Sequence, residues 1–147
     1  MRGFTFRETM SGSYRLRSNH DGERPISIAL RASSRSLRDF FRSAEVEIGG
    51  EVDAEAFADH ARLEGTLRLD VFRTGKLRYR FRFVANDDRP YRFEGEKTLD
   101  RKNIVHSMTV LPGRILDENG DEVATVHLRF DLRGELVPFL RSWAAVF

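Results

Sequence analysis

The chain contains no cysteine, which excludes disulfides, thiolate zinc sites, iron–sulfur ligation and a cysteine nucleophile. It has little excess charge of either sign: 25 Lys and Arg stand against 23 Asp and Glu, a formal net charge of +2. The sequence pI near 9.3 is therefore no mark of a polyanion partner. It arises because 22 of the 25 basic residues are arginine, which titrates very late. No uninterrupted apolar run approaches the ~20 residues of a membrane helix, and the opening Met1-Arg2-Gly3-Phe4-Thr5-Phe6-Arg7-Glu8 is charged and alternating at once, with no apolar run, so neither an export signal nor a membrane span is expected and a cytoplasmic protein is. Also missing are a Gly-x-Gly-x-x-Gly fingerprint, a phosphate loop and a Gly-x-Ser-x-Gly elbow. His20 and His60 fall in polar segments and His127 on an outer strand face, so no metal or cofactor is expected. The 147 residues suffice for one domain, 1–147, that buries a core without staples.

What the sequence does have is alternation. From Leu63 onward apolar and polar residues follow period two, broken by turn-rich punctuation such as Asp117-Glu118-Asn119-Gly120-Asp121, the pattern of half-buried antiparallel strands. Strands are predicted near 63–72, 76–84, 90–99, 103–116 and 122–132, preceded by shorter ones at 4–10, 13–17, 25–32 and 44–52, about nine in all. A short helix is predicted near 36–42, started by Ser36 and burying Leu37, Phe40 and Phe41, and a second over 135–147 with Leu136, Phe139, Leu140, Trp143 and Phe147 on one stripe. Residues 53–60 read as a loop or one further turn of helix.

Because strand side chains alternate faces, each hairpin can be checked for chemical sense. Letting Phe72 face Lys76 sets Leu69 against Tyr79, Leu67 against Phe81 and Gly65 against Phe83, with Asp70 opposite Arg78. Letting Val84 face Pro90 sets Phe83 against Tyr91 and Phe81 against Phe93, with Arg80 opposite Glu94 and Arg78 opposite Glu96. The interleaved basic and aromatic residues of 76–83 therefore separate onto opposite faces. They predict a solvated ion-pair ladder over an aromatic core, not a nucleic-acid platform. Leu99 opposite Ile104 places Lys97 against His106, Gly95 against Met108 and Phe93 against Val110; Leu116 opposite Glu122 then sets Val110 against Leu128 and Met108 against Phe130. The resulting aromatic face must curl up or be covered, which predicts a closed or nearly closed barrel of the lipocalin or calycin kind, or a curved sheet wrapped on the C-terminal helix.

Three residues stand out on the apolar faces: Lys97, His106 and Glu8. Lys97 and His106 side by side at the mouth of an aromatic cavity would orient the polar head of an amphipathic ligand, and a desolvated Lys97 could act as nucleophile or base. The plain alternative is a lysine that snorkels from the rim and a histidine bonded to backbone. Glu8, on a face with Phe4, Phe6 and Met10, would partner Lys97 if the first strand closes the barrel. The alternative is an edge strand that has reached water. The expected ligand site is thus Lys97, His106 and Glu8 over a lining of Tyr79, Phe81, Phe93, Met108 and Phe130.

Two stretches, Phe6-Arg7-Glu8-Thr9-Met10-Ser11-Gly12 and Leu77-Arg78-Tyr79-Arg80-Phe81 with Arg89-Pro90-Tyr91-Arg92-Phe93-Glu94-Gly95-Glu96-Lys97, resemble a β-rich accessory region found beside the flavin domain in cholesterol-oxidase-like members of the glucose–methanol–choline oxidoreductases. The resemblance implies a setting of lipid or sterol metabolism. The chain lacks the flavin fingerprint, so it is not itself the oxidoreductase. Three expectations compete. A binding barrel for an apolar or amphipathic, lipid- or sterol-like molecule requires an internal cavity of at least ~300 Å³. An interaction module docking on a partner enzyme, such as a flavin oxidoreductase, requires an exposed apolar patch. A small enzyme would use Lys97 or His106 as acid or base.

Overall fold

The computed structural model describes residues 3–18, 22–36, 43–70, 74–100, 102–107, 110–136 and 138. Among the described residues, eight strands, β1 (Phe4–Leu16), β2 (Arg24–Ser34), β3 (Glu45–Ala54), β4 (Ala58–Asp70), β5 (Lys76–Val84), β6 (Pro90–Thr98), β7 (Val110–Leu116) and β8 (Glu122–Phe130), run in chain order, and a helical turn, α1 (Ile104–Ser107), precedes β7. Each strand pairs antiparallel with the next, and β1 pairs with β8, so the sheet closes into a barrel. Closure leaves no open edge and turns every other side chain inward. Strands β1, β3, β5 and β7 run toward one end of the barrel, here the upper, and β2, β4, β6 and β8 toward the other, the lower.

The expected count of about nine strands becomes eight because 4–10 and 13–17 are one strand. Ser11-Gly12-Ser13 looks like turn chemistry, but Ser11, Gly12 and Ser13 pair with Ser27, Ile26 and Pro25 on one side and with Arg129, Leu128 and His127 on the other. Two flanking ladders outweigh a local turn preference. Residues 53–60 form the β3–β4 connection, where Ala56 takes a positive φ of 63° and Phe57 folds back over the upper end. Most of the predicted helices, 37–42 and 139–147, lie outside the described residues.

The β5–β6 register is the predicted one, with Val84 facing Pro90, Phe81 facing Phe93 and Arg78 facing Glu96. Between β4 and β5 the faces are right and the pairing moves by two residues, so Leu67 meets Tyr79 and Gly65 meets Phe81. The next hairpin differs most. The Lys102 amide donates to the Asp100 carboxylate, the Asn103 amide to the Asp100 carbonyl and the Ser107 amide to the Asn103 carbonyl. These bonds wind 104–107 into α1, and β7 starts only at Val110. Gly95 therefore faces Gly113, not Met108, and Phe93 faces Ile115. At the next turn Leu116 does face Glu122, but a bulge at Ile115/Leu116 shifts the ladder by one residue and turns Leu111 and Ile115 inward in place of Val110.

The interior is aromatic and close-packed. Phe81 and Phe93 stack at 4.8 Å between ring centroids in its middle. Gly65 beneath Phe81 has no room for a methyl, since a Cβ there would lie 1.9 Å from the Arg80 carbonyl oxygen. Phe57 closes the upper end against Tyr14, Phe83 and Tyr91, at 6.1, 6.1 and 4.9 Å, and the Tyr14 hydroxyl donates to the Glu55 carbonyl. Outside, Arg78 with Glu96 and Arg80 with Glu94 pair as predicted, at 3.2 and 3.8 Å, joined by Lys76 on Glu96 at 3.1 Å and by Arg92 and Arg114 on Glu94 at 3.1 and 3.2 Å, while Asp70 meets Arg68 at 3.9 Å and not Arg78. Because the core carries the stability and exposed pairs little, Phe93→Ala is expected to destabilise the barrel by about 3–5 kcal/mol in urea unfolding. Val84→Ala, at an exposed site, should change stability by less than ~0.5 kcal/mol.

Candidate functional site

The site lies at the lower end, where β1 runs past the end of β8. Alternation along β1 points Phe6, Glu8 and Met10 inward, and Glu8 is only 2% exposed. Beyond Phe130 the regular ladder ends and the chain follows β1 toward the lower end as a strap, 131–136. The Asp131 amide donates to the Thr9 carbonyl at 2.9 Å, the Gly134 amide to the Asp131 carbonyl at 2.9 Å and the Glu135 amide to the Arg7 carbonyl at 3.1 Å. In return the Arg7 amide donates to Glu135 Oε2 at 2.8 Å. The strap ends on the Leu136 amide, which donates to Glu8 Oε2 at 3.0 Å, with the Leu136 side chain fully buried. Gly134 passes directly over the carboxyl group: a Cβ there would press on both Glu8 carboxyl oxygens, so any side chain at this position would displace the carboxyl group.

The other carboxyl oxygen, Glu8 Oε1, and the Tyr79 hydroxyl are buried and have no hydrogen-bond partner among the described residues. Tyr79 reaches across from β5, its ring 6.2 Å from that of Phe130. Burial pushes the Glu8 carboxyl up to about 7; the Leu136 amide opposes this, and the charges of Asp131 and Glu135 add to it. Burial, and then the Glu8 charge, hold the Tyr79 phenol well above its ordinary range. Near neutrality Glu8 is thus poised between acid and carboxylate, and the Tyr79 hydroxyl keeps its proton in the same interior.

The predicted site residues divide. Tyr79, Phe81, Phe93 and Phe130 face inward and are buried, but they pack on one another. Two grooves, of about 1020 and 430 Å³, lie on the outer wall. Lys97 shares the inward face of Phe93 and Gly95; its ammonium donates to the Val110 carbonyl at 2.6 Å, and desolvation lowers its pKa. No ion pair joins it to Glu8 among the described residues. His106 does not pair with Lys97 across a ladder: it stands exposed on α1, because a helical turn replaces the predicted strand there. Met108 lies outside the described residues. His127 faces outward as predicted. His60 sits between Glu51 and Asp53, with Nδ1 3.5 and 3.3 Å from their oxygens, an exposed group that brings three ligand-type side chains within 4.8 Å and already pairs with itself when His60 is protonated.

Sequence reasoning missed Gly134 and the role of Leu136. A signal existed, since Asp131-Leu132-Arg133-Gly134 carries the Asp and Gly of a type I turn, and the Arg133 amide does bond Asp131 Oδ1 at 3.0 Å. What these features define is an eight-stranded antiparallel barrel with a strapped, singly acidic interior. Comparison with protein-family models, curated proteins and solved structures found no match for the chain.

The raised carboxyl pKa fixes a sign. The folded state holds the Glu8 proton up to about pH 7 and the unfolded chain releases it near the ordinary value of ~4.3, so Glu8 favours folding at low pH and that contribution is lost as pH rises between those values. The difference in urea-unfolding stability between wild type and Glu8→Gln should fall by up to about 3 kcal/mol from pH 4 to pH 8. A pH-independent difference would contradict the assignment.

Proposed function

We propose that the barrel is a non-enzymatic binding protein for an apolar or amphipathic molecule carrying a neutral oxygen, of lipid or sterol type. The ligand's oxygen sits between Glu8 Oε1 and the Tyr79 hydroxyl. One observation carries the reading: two polar atoms in one apolar interior are buried without partners among the described residues, whereas buried polar groups are nearly always bonded and an unmet one costs about 1–3 kcal/mol. A hydroxyl or carbonyl oxygen meets both. The expected cavity of ~300 Å³ is not open in this close-packed interior; the reading requires the strap to lift and withdraw the Leu136 side chain, so that the ligand's apolar body lies at the mouth beside Phe130 and Tyr79. Lys97, drawn inward at the same end, lines the entry. The likeness to lipocalins and calycins belongs to this reading, and the resemblance to an accessory region of cholesterol-oxidase-like enzymes supports the ligand class.

Docking on a partner enzyme through an apolar surface has less support, since Val84 and Leu132 are the exposed large hydrophobic residues among those described and they do not form a patch.

The test is a titration of delipidated protein with a fluorescent sterol and a fluorescent fatty acid. Wild type should bind at least one probe saturably. Tyr79→Phe, which removes one hydroxyl and little volume, should weaken that binding about tenfold, the effect of one buried hydrogen bond. Failure of wild type to bind either probe, or equal binding by Tyr79→Phe, would overturn the reading.

A further inference from the structure

The larger outer groove crosses β1 to β5 and is lined by Arg7, Arg31, Gly49, Glu64, Thr66 and Arg82, among others. Cross-strand pairing sets Arg7 against Arg31, Arg31 against Gly49, Gly49 against Glu64 and Glu64 against Arg82, so these side chains form one lateral row. On the opposite wall the smaller groove holds Arg78, Arg80, Arg114, Glu94 and Glu96, and each of these bases is matched to an acid. In the larger groove the matching fails. Glu64 pairs with Arg62 at 3.2 Å, and the guanidinium groups of Arg7, Arg31 and Arg82 have no ion-pair partner among the described residues. Two like charges directly opposed across a ladder are unfavourable, and Arg7 with Arg31 is such a pair with no acid between them.

The floor of the groove is made of small residues. At Gly49 a Cβ would meet nothing nearer than the Leu63 carbonyl oxygen at 3.8 Å, and the backbone there is outside the left-handed region. The missing side chain is therefore not demanded by the barrel. It opens the row of arginines at its centre.

We propose that this groove docks an extended acidic segment of a partner protein, with one carboxylate on the Arg7–Arg31 pair and a second on Arg82. Arg31 and Arg82 lie three strands apart, about 14 Å at ~4.8 Å per strand. That is the span of two acidic side chains four residues apart in an extended chain at ~3.4 Å per residue. Glu47, on the same wall and without an ion pair among the described residues, accepts from a backbone or lysine N–H between them. The acids Glu47 and Glu64 and the lack of an aromatic in the lining disfavour a nucleic-acid strand, which would bring a continuous row of phosphates and bases to stack. The proposal is independent of the barrel interior, and its variants leave Glu8 and Tyr79 untouched.

The experiment is selection of a displayed library of random ten-residue peptides, run in parallel on wild type, Gly49→Trp and Arg31→Glu. Wild type should enrich peptides with two acidic residues four apart. The best of these, synthesised and titrated by fluorescence anisotropy, should bind each variant at least tenfold more weakly, while the thermal midpoint of Gly49→Trp stays that of wild type. Enrichment of the same peptides on Gly49→Trp, enrichment without acidic residues, or full displacement of the peptide by millimolar inorganic phosphate would overturn the proposal, the last by assigning a small-anion site.

Discussion

Closing β1 against both β2 and β8 forces alternate β1 side chains into the barrel, and between Phe6 and Met10 that side chain is the carboxyl group of Glu8. A carboxyl group inside an apolar wall must either find donors or keep its proton. This chain does part of each. It brings the strap to Glu8 so that the Leu136 amide reaches one oxygen, has a glycine at 134 that leaves the carboxyl group where it is, and leaves the other oxygen facing an interior that holds the Tyr79 hydroxyl. The path of the strap, the burial of Leu136 and the raised proton affinity of Glu8 all follow from that one inward position.

The costs show how unusual the arrangement is. Two unmet polar atoms cost on the order of 1–3 kcal/mol each, against a typical domain stability of roughly 5–15 kcal/mol. The aromatic stack of Phe81 on Phe93 and the cap of Phe57 on Tyr91 provide the packing that tolerates them. The outer wall shows the same contrast, its charges matched around Glu94 and Glu96 and unmatched around Arg7 and Arg31.

Much of this was legible in the sequence because period two is a strong constraint. It set the faces of β5 and β6, the burial of Tyr79, Phe81, Phe93 and Phe130, the ion-pair ladder, and the oddity of Glu8 and Lys97. It failed where alternation continued through residues that the backbone uses otherwise. Ile104, His106 and Met108 alternate as a strand would, but Asp100 and Asn103 offer caps that start a helical turn, and the turn carries His106 away from Lys97. The β7 bulge could not be read either, since one extra residue leaves composition unchanged and exchanges the two faces. Glu8 was visible as an anomaly and its partner was not, because Leu136 lies 128 positions away and reads locally as one more apolar helix residue.

The central claim is that Glu8 sits desolvated inside the closed barrel. Titrating the ¹³C-labelled Glu8 carboxyl by NMR measures this directly. A midpoint of about 7 is the predicted result. A midpoint in the ordinary carboxylate range near 4.5 would place the group in water and contradict both the closure of β1 at this end and the site built upon it.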